Sequence, residues 1–131
     1  MAALAKSGNP SLCSPTPTRE HTVAGGLANA AIAAGDACYI MSTGLIALST
    51  GAAANAAAVV DGFAGGPAPA GESVTLFHDV HMHYGAGMTP GTPFYLSGTV
   101  PGGLDTVASV GGTVVIARAL DATRVAVRRS W

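Results

Sequence analysis

The sequence has little charge, few aromatic residues and almost no cysteine. Charged residues make up 10% of the 131 positions, and the formal net charge is −1. Binding of DNA or RNA depends on lysines and arginines that displace counterions from phosphates, and six such residues against seven acids supply no general field for it, so nucleic acid is not expected as a main partner. The same scarcity of charge excludes a coiled coil, which needs long helix formers with charged flanks. It also excludes a disordered polyelectrolyte, which stays unfolded through low hydrophobicity and high net charge. Two cysteines, Cys13 and Cys38, are too few for the disulfide framework of a small secreted domain, and both are expected as free thiols. The opening MAALAKSGNPSLC lacks a basic end followed by a long apolar core, so no secretory signal is expected and the product is expected in the cytoplasm where it is made. Long unbroken apolar runs are missing as well. The uncharged stretch 37–60 is interrupted by Ser-Thr-Gly at 42–44 and again at 49–51, which read as turns rather than as parts of a membrane span.

What the chain does have is glycine (18), proline (8) and an apolar fraction of 49%. The glycines lack the strict third-place period of collagen, and the length fits one domain of roughly 100–150 residues. Residues 1–22 contain Gly8-Asn9-Pro10 and Ser14-Pro15-Thr16-Pro17-Thr18. Each proline removes a backbone donor and restricts its predecessor, so this segment reads as an extended N-terminal arm, either a frayed end or an arm that docks on a partner. Residues 23–131 read as a single β-rich domain. Within it, ANAAIAA at 28–34 could turn one helical cycle before Gly35-Asp36 stops it, and ACYIMS and LIALS flank a tight connection at Thr43-Gly44. AAANAAAVV at 52–60 sets helix against strand and is read as an irregular strand.

The longest strand candidate runs from Glu72 to Tyr84. Its even positions Val74, Leu76, His78, Val80, Met82 and Tyr84 are mostly apolar, and its odd positions are polar except for Phe77. Such alternation sets one face against the core and the other toward solvent or a partner. Phe94-Tyr95-Leu96 is expected to pair through Gly98-Thr99 with Val100. TVVIARAL at 113–120 and TRVAVRR at 123–129 are expected to form a closing hairpin around Asp121-Ala122, with Val125 and Val127 on one face and Arg124 and Arg128 on the other. Seven to nine short strands with a turn every ten or so residues predict an all-β fold, a small β-barrel or sandwich of short antiparallel strands.

Chemistry-bearing patterns are sparse. His81 and His83 share a strand face with Asp79 beside them and form the one weak metal candidate; two ligands are not a site, and the expectation is of polar strand-face histidines with no metal and no cofactor. There is no nucleophile elbow and no phosphate loop, and the carboxylates stand singly beside glycines and turns, as at Asp36, Asp61 and Glu72, so no enzymatic activity is expected. Charge is unevenly spread. Through Ala117, Lys6 and Arg19 stand against six acids, a balance of −4, whereas Arg118, Arg124, Arg128 and Arg129 stand against Asp121, a balance of +3. The basic tail reads either as a solvated strand face or as a contact patch for an acidic surface.

Three stretches carry a resemblance. They are AAIAAGDACYI at 30–40, VVDGFAGGPAPAGESVTLF at 59–77, and MTPGTPFYLSGTVPGG at 88–103 followed by VVIARALDATRVAVRR at 114–129. In order and spacing, over about residues 28 to 129, they resemble the small cement or decoration proteins that bind the outside of tailed-phage capsids. The HDVHMHY strand and the proline-rich arm depart from that pattern and take no role from it. The resemblance implies a compact β-barrel-like subunit that assembles as a homo-oligomer, a trimer, on the major capsid protein at the capsid exterior and bridges capsomers of the mature shell. Contact candidates are Pro10, Pro15, Pro17 and Arg19 of the arm, which could add extended backbone to a neighbour, and Arg124 and Arg128 of the last strand. The rival expectation is a receptor- or ligand-binding β domain of a phage fibre, using loops such as 85–93.

Overall fold

Short apolar runs punctuated by glycine and proline leave no room for helix, and the chain resolves into strands. The computed structural model describes residues 4–13 and 22–131. Among them are β1 (Ser11–Leu12), β2 (Thr22–Leu27), β3 (Ala37–Ile40), β4 (Ile46–Leu48), β5 (Gly62–Ala64), β6 (Ser73–Phe77), β7 (Val80–His83), β8 (Pro93–Leu96), β9 (Leu104–Asp105), β10 (Val115–Ala119) and β11 (Arg124–Val127). They form two antiparallel sheets, one of six strands in the order β1-β7-β11-β10-β8-β9 and one of five in the order β2-β6-β5-β3-β4. The fold is all-β as expected. Of the two architectures expected it is the sandwich-like one, because neither sheet closes on itself into a barrel.

The candidate strand 72–84 is two strands. The chain leaves the five-stranded sheet at Phe77 and enters the six-stranded one at Val80, turning at Asp79, whose φ of 56° lies in the left-handed region that aspartate tolerates better than most residues. The alternation survives the crossing, since all six even positions from Val74 to Tyr84 are buried. What changes is the core they enter. Val74 and Leu76 belong to a smaller cluster with Ala28, Ile32, Cys38, Ile46, Ala64 and Ala68. Val80, Met82 and Tyr84 belong to a larger one that also takes Ala37 and Phe63 from the five-stranded sheet and Phe94, Leu96, Ile116, Val125 and Val127 from the six-stranded one.

Three local expectations are corrected. The stretch 52–60 contains a single 3-10 turn, Ala56–Ala58, because Asn55 caps it by accepting from the Ala57 N–H at 3.0 Å and alanine favours helical backbone. ANAAIAA makes no helical cycle; Ala28 bridges Ile46 and Ile32 bridges Ala68, laying the segment over the smaller core. Tyr95 and Leu96 pair with Asp105 and Leu104 rather than with Val100, which is held in the intervening turn by its N–H donating to Ser97 Oγ at 3.1 Å. The hairpins β3/β4 and β10/β11 form as expected.

Residues 4–13 lie along the domain. The Leu4 N–H donates to Leu104 O, Ser7 to Tyr84 O and Cys13 to His81 O, while β1 pairs with β7 through Ser11↔His83 and Leu12↔Met82. Lys6 pairs with the carboxylate of Asp36, which also accepts from the Ala33 N–H at 2.9 Å. Pro10 is buried against Gly35, where φ is +80° and an added Cβ would meet the proline ring at 2.7 Å. A side chain so packed is not open to an external partner while this segment is docked.

Candidate functional site: the basic face of the six-stranded sheet

The register of the six-stranded sheet gathers most of the sequence's candidate residues on one outward face. Ser11 on β1, His83 on β7 and Arg124 on β11 are direct partners in one row, and His81, Ala126 and Arg118 form the next across β7, β11 and β10. Directly opposed residues share a face, and Arg128 joins them, two residues beyond Ala126. The inward set is Val80, Met82, Val125 and Val127, all buried. His81, His83, Arg124 and Arg128 are thus brought together. Arg118 was missed as a site residue, because a bulge between Val115 and Ala117 buries both Ile116 and Ala117 and breaks the alternation that would have placed it. The signal was in the hairpin: Leu120 N–H donates to Arg124 O at 2.9 Å, and counting back from that closure sets Arg118 against Ala126.

The four arginines differ in what holds them. Arg124 Nε donates to Asp121 Oδ2 at 2.7 Å, and Asp121 Oδ1 takes the Thr123 and Arg124 N–H groups at 3.0 and 2.8 Å, an arrangement that closes the β10/β11 turn. The Thr123 N–H first and the Arg124 guanidinium next hold the Asp121 carboxyl well below the usual carboxylate range. Among the described residues Arg128 donates through Nε alone, to Val115 O at 2.8 Å. Arg129 lies over the Trp131 ring, 4.0 Å from its centroid, while Trp131 Nε1 donates to Asp61 Oδ1 at 2.8 Å. No described residue takes a hydrogen bond or ion pair from the Arg118 guanidinium.

Among the described residues no three His, Cys, Asp or Glu side chains are grouped to hold a metal ion; in the strand register His81 stands opposite Ala126 and His83 opposite Arg124. Asp79, the flanking acid of the sequence reading, turns to His78, with Oδ2 at 2.5 Å from Nδ1. Asp36, Asp61 and Asp121 each close local structure through backbone N–H groups. Cys13 and Cys38 are free thiols. No helix among the described residues is long and apolar enough to cross a membrane. Pro15, Pro17 and Arg19 lie outside the described residues.

Beside the basic face lies an apolar cleft lined by Ala54, Ala58, Val59, Val114 and Ile116. Trp131, 67% exposed, shares a neighbouring groove with the cleft residues Val114 and Ser130, and Val110, 72% exposed, lines a separate cleft with Gly51, Gly98 and Ser109. Compared with protein-family models, with curated proteins and with solved structures, the chain matches none.

Proposed function

We propose that this chain is a structural virion protein that binds the outer surface of a bacteriophage capsid as a homo-oligomer and stabilises the mature shell by bridging capsomers. The observation that carries the reading is the pairing of two outward surfaces on one body, the basic sheet face with Arg118, Arg124 and Arg128 and the apolar residues Val59, Val114 and Trp131, of which Val114 and Trp131 share a groove with Arg128. Contiguous exposed apolar side chains edged by charge mark contact with another macromolecule. The resemblance of the three stretches to cement proteins supports the major capsid protein as that macromolecule, and the basic face gives the contact a sign. Each contact can be weak, because a trimer engaging several capsomers gains avidity through effective concentration. On this reading the protein resides on the capsid exterior, and neither nucleic acid, a lipid bilayer nor a cofactor takes part.

Co-sedimentation of the purified chain with undecorated mature shells and with immature shells of its parent phage tests the reading. Saturable binding that raises the heat resistance of the mature shell is the expected result. No binding to either shell overturns it and transfers the weight to a ligand-binding β domain.

A further inference from the structure

The basic face has a hole in it. His81, Ala126 and Arg118 are direct cross-strand partners, and neighbouring strands lie about 4.8 Å apart, so His81 and Arg118 stand roughly 10 Å from one another, and among the described residues of that row the one between them carries a methyl group. Arg124, at the start of β11, and Arg128, just past its end, stand two residues to either side of Ala126. The result is a groove of about 460 Å³ lined by His81, Arg118, Ala126 and Arg128, with Val80, Val115 and Val127 among its other walls. Asp79 also lines it, at the end where Val80 opposes Val127, and its Oδ2 is engaged by His78. Asp79 thus stands at the Arg128 end of the groove, and its carboxylate displaces an anion from there toward Ala126, between Arg128 and Arg118.

We propose that this groove is a receptor for a carboxylate carried on an extended, otherwise apolar segment of a partner protein, with Arg118 and Arg128 as its two clamps. Among the described residues Arg118 has no hydrogen-bond or ion-pair partner and Arg128 engages one through Nε alone, so toward them both retain the terminal N–H groups that grip a carboxylate in parallel. Arg124 is not a clamp, since Asp121 already holds it. Val80 and Val127 offer the groove only backbone, whereas the half-buried Val115 suits an aliphatic neighbour of the acid, and the one-residue breadth of the floor suits a single strand-like chain laid over the sheet. The inference deepens the capsid reading, on which it rests only for the source of the segment.

The test uses the full chain, a fluorescein-labelled peptide of alternating valine and glutamate, its glutamine counterpart, and inorganic phosphate. The glutamate peptide is expected to bind saturably, and the glutamine peptide about tenfold or more weaker, the size of a lost charge-assisted hydrogen-bond pair. Arg118→Gln is expected to weaken the glutamate peptide to a similar degree. Ala126→Leu, which fills the groove and leaves every charge in place, is expected to do the same, while both variants melt at the wild-type temperature. Equal binding of the two peptides, binding indifferent to Ala126→Leu, or displacement of the peptide by phosphate more readily than by acetate overturns the proposal. Peptide recognition by a chain that fails to attach to shells upholds the groove while the attachment reading falls. Attachment to shells without peptide recognition overturns the groove and leaves attachment standing.

Discussion

The two sheets are built to opposite rules. The strands of the five-stranded sheet, TVAGGL, ACYI, IAL, GFA and SVTLF, contain no charged residue, whereas those of the six-stranded sheet hold His81, His83, Asp105, Arg118 and Arg124. The cause is coverage. In the five-stranded sheet Ala37 and Phe63 enter the larger core and their chain neighbours Cys38 and Ala64 enter the smaller one, which residues 28–34 and Ala68 cap. Where β3 and β5 are covered on both faces the sequence reads as continuous apolar residues, whereas β6 in the same sheet and β7 and β11 of the six-stranded sheet, with one face open, alternate. Stability is therefore expected to concentrate in the first sheet and recognition in the second.

The largest expected break in that contrast is Phe63→Ala. Phe63 is fully buried in β5 and joins the two sheets through the larger core, so its truncation should cost about 3–5 kcal/mol, read as a lowered urea midpoint at unchanged slope. A loss below about 1 kcal/mol would mean that the doubly covered sheet is not where stability resides. The next is Gly62→Ala, one residue away. A Cβ there would meet Leu76 Cβ at 2.8 Å and the Phe77 carbonyl oxygen at 3.1 Å, so one added methyl should cost about 1–3 kcal/mol by the same measurement.

How much of each sheet was legible follows from the same coverage. On β7 and β11, with one wet face, the alternation placed His81, His83, Arg124 and Arg128 outward and Val80, Met82, Val125 and Val127 inward. In β3 and β5 every one of Ala37, Cys38, Gly62, Phe63 and Ala64 is buried, so no period exists to read. Periodicity also could not reveal that Val74 and Val80 enter different cores, because the crossing at His78 and Asp79 preserves the alternation while changing the sheet. Pairing between distant segments, such as β1 with β7, leaves no local mark in a two-residue strand.

A third prediction sharpens the contrast through pH. Burial, and then the charge of Asp36, push the Cys38 thiol up from 9.0 to about 12. The folded chain keeps that proton where the unfolded chain loses it, so stability should fall as pH rises above about 9, by at most about 1.4 kcal/mol per unit. Urea midpoints between pH 8 and 10 should slope downward in the wild type, and this part of the slope should vanish in Cys38→Ala. A Cys38→Ala slope equal to the wild type would mean that the thiol opens to water in the folded state.

The smallest expected effect on stability is at Arg118, and its smallness is what separates the two sheets. Arg118 is exposed, contacts no described residue through its guanidinium and belongs to a strand held by backbone pairing with β8 and β11. Replacing it with glutamine removes charge but neither packing nor a hydrogen bond, so the urea midpoint should stay within about 0.5 kcal/mol of wild type. Attachment to shells should nevertheless weaken and lose part of its sensitivity to added salt, because a charge contact at an exposed face is screened within about 10 Å at 0.1 M ionic strength. If Arg118→Gln destabilises the chain by more than 1 kcal/mol, the basic face is part of the scaffold and the division of labour between the sheets does not hold. If stability and attachment are both unchanged, the basic face is a solvated strand surface and the apolar residues Val59, Val114 and Trp131 must carry the contact alone.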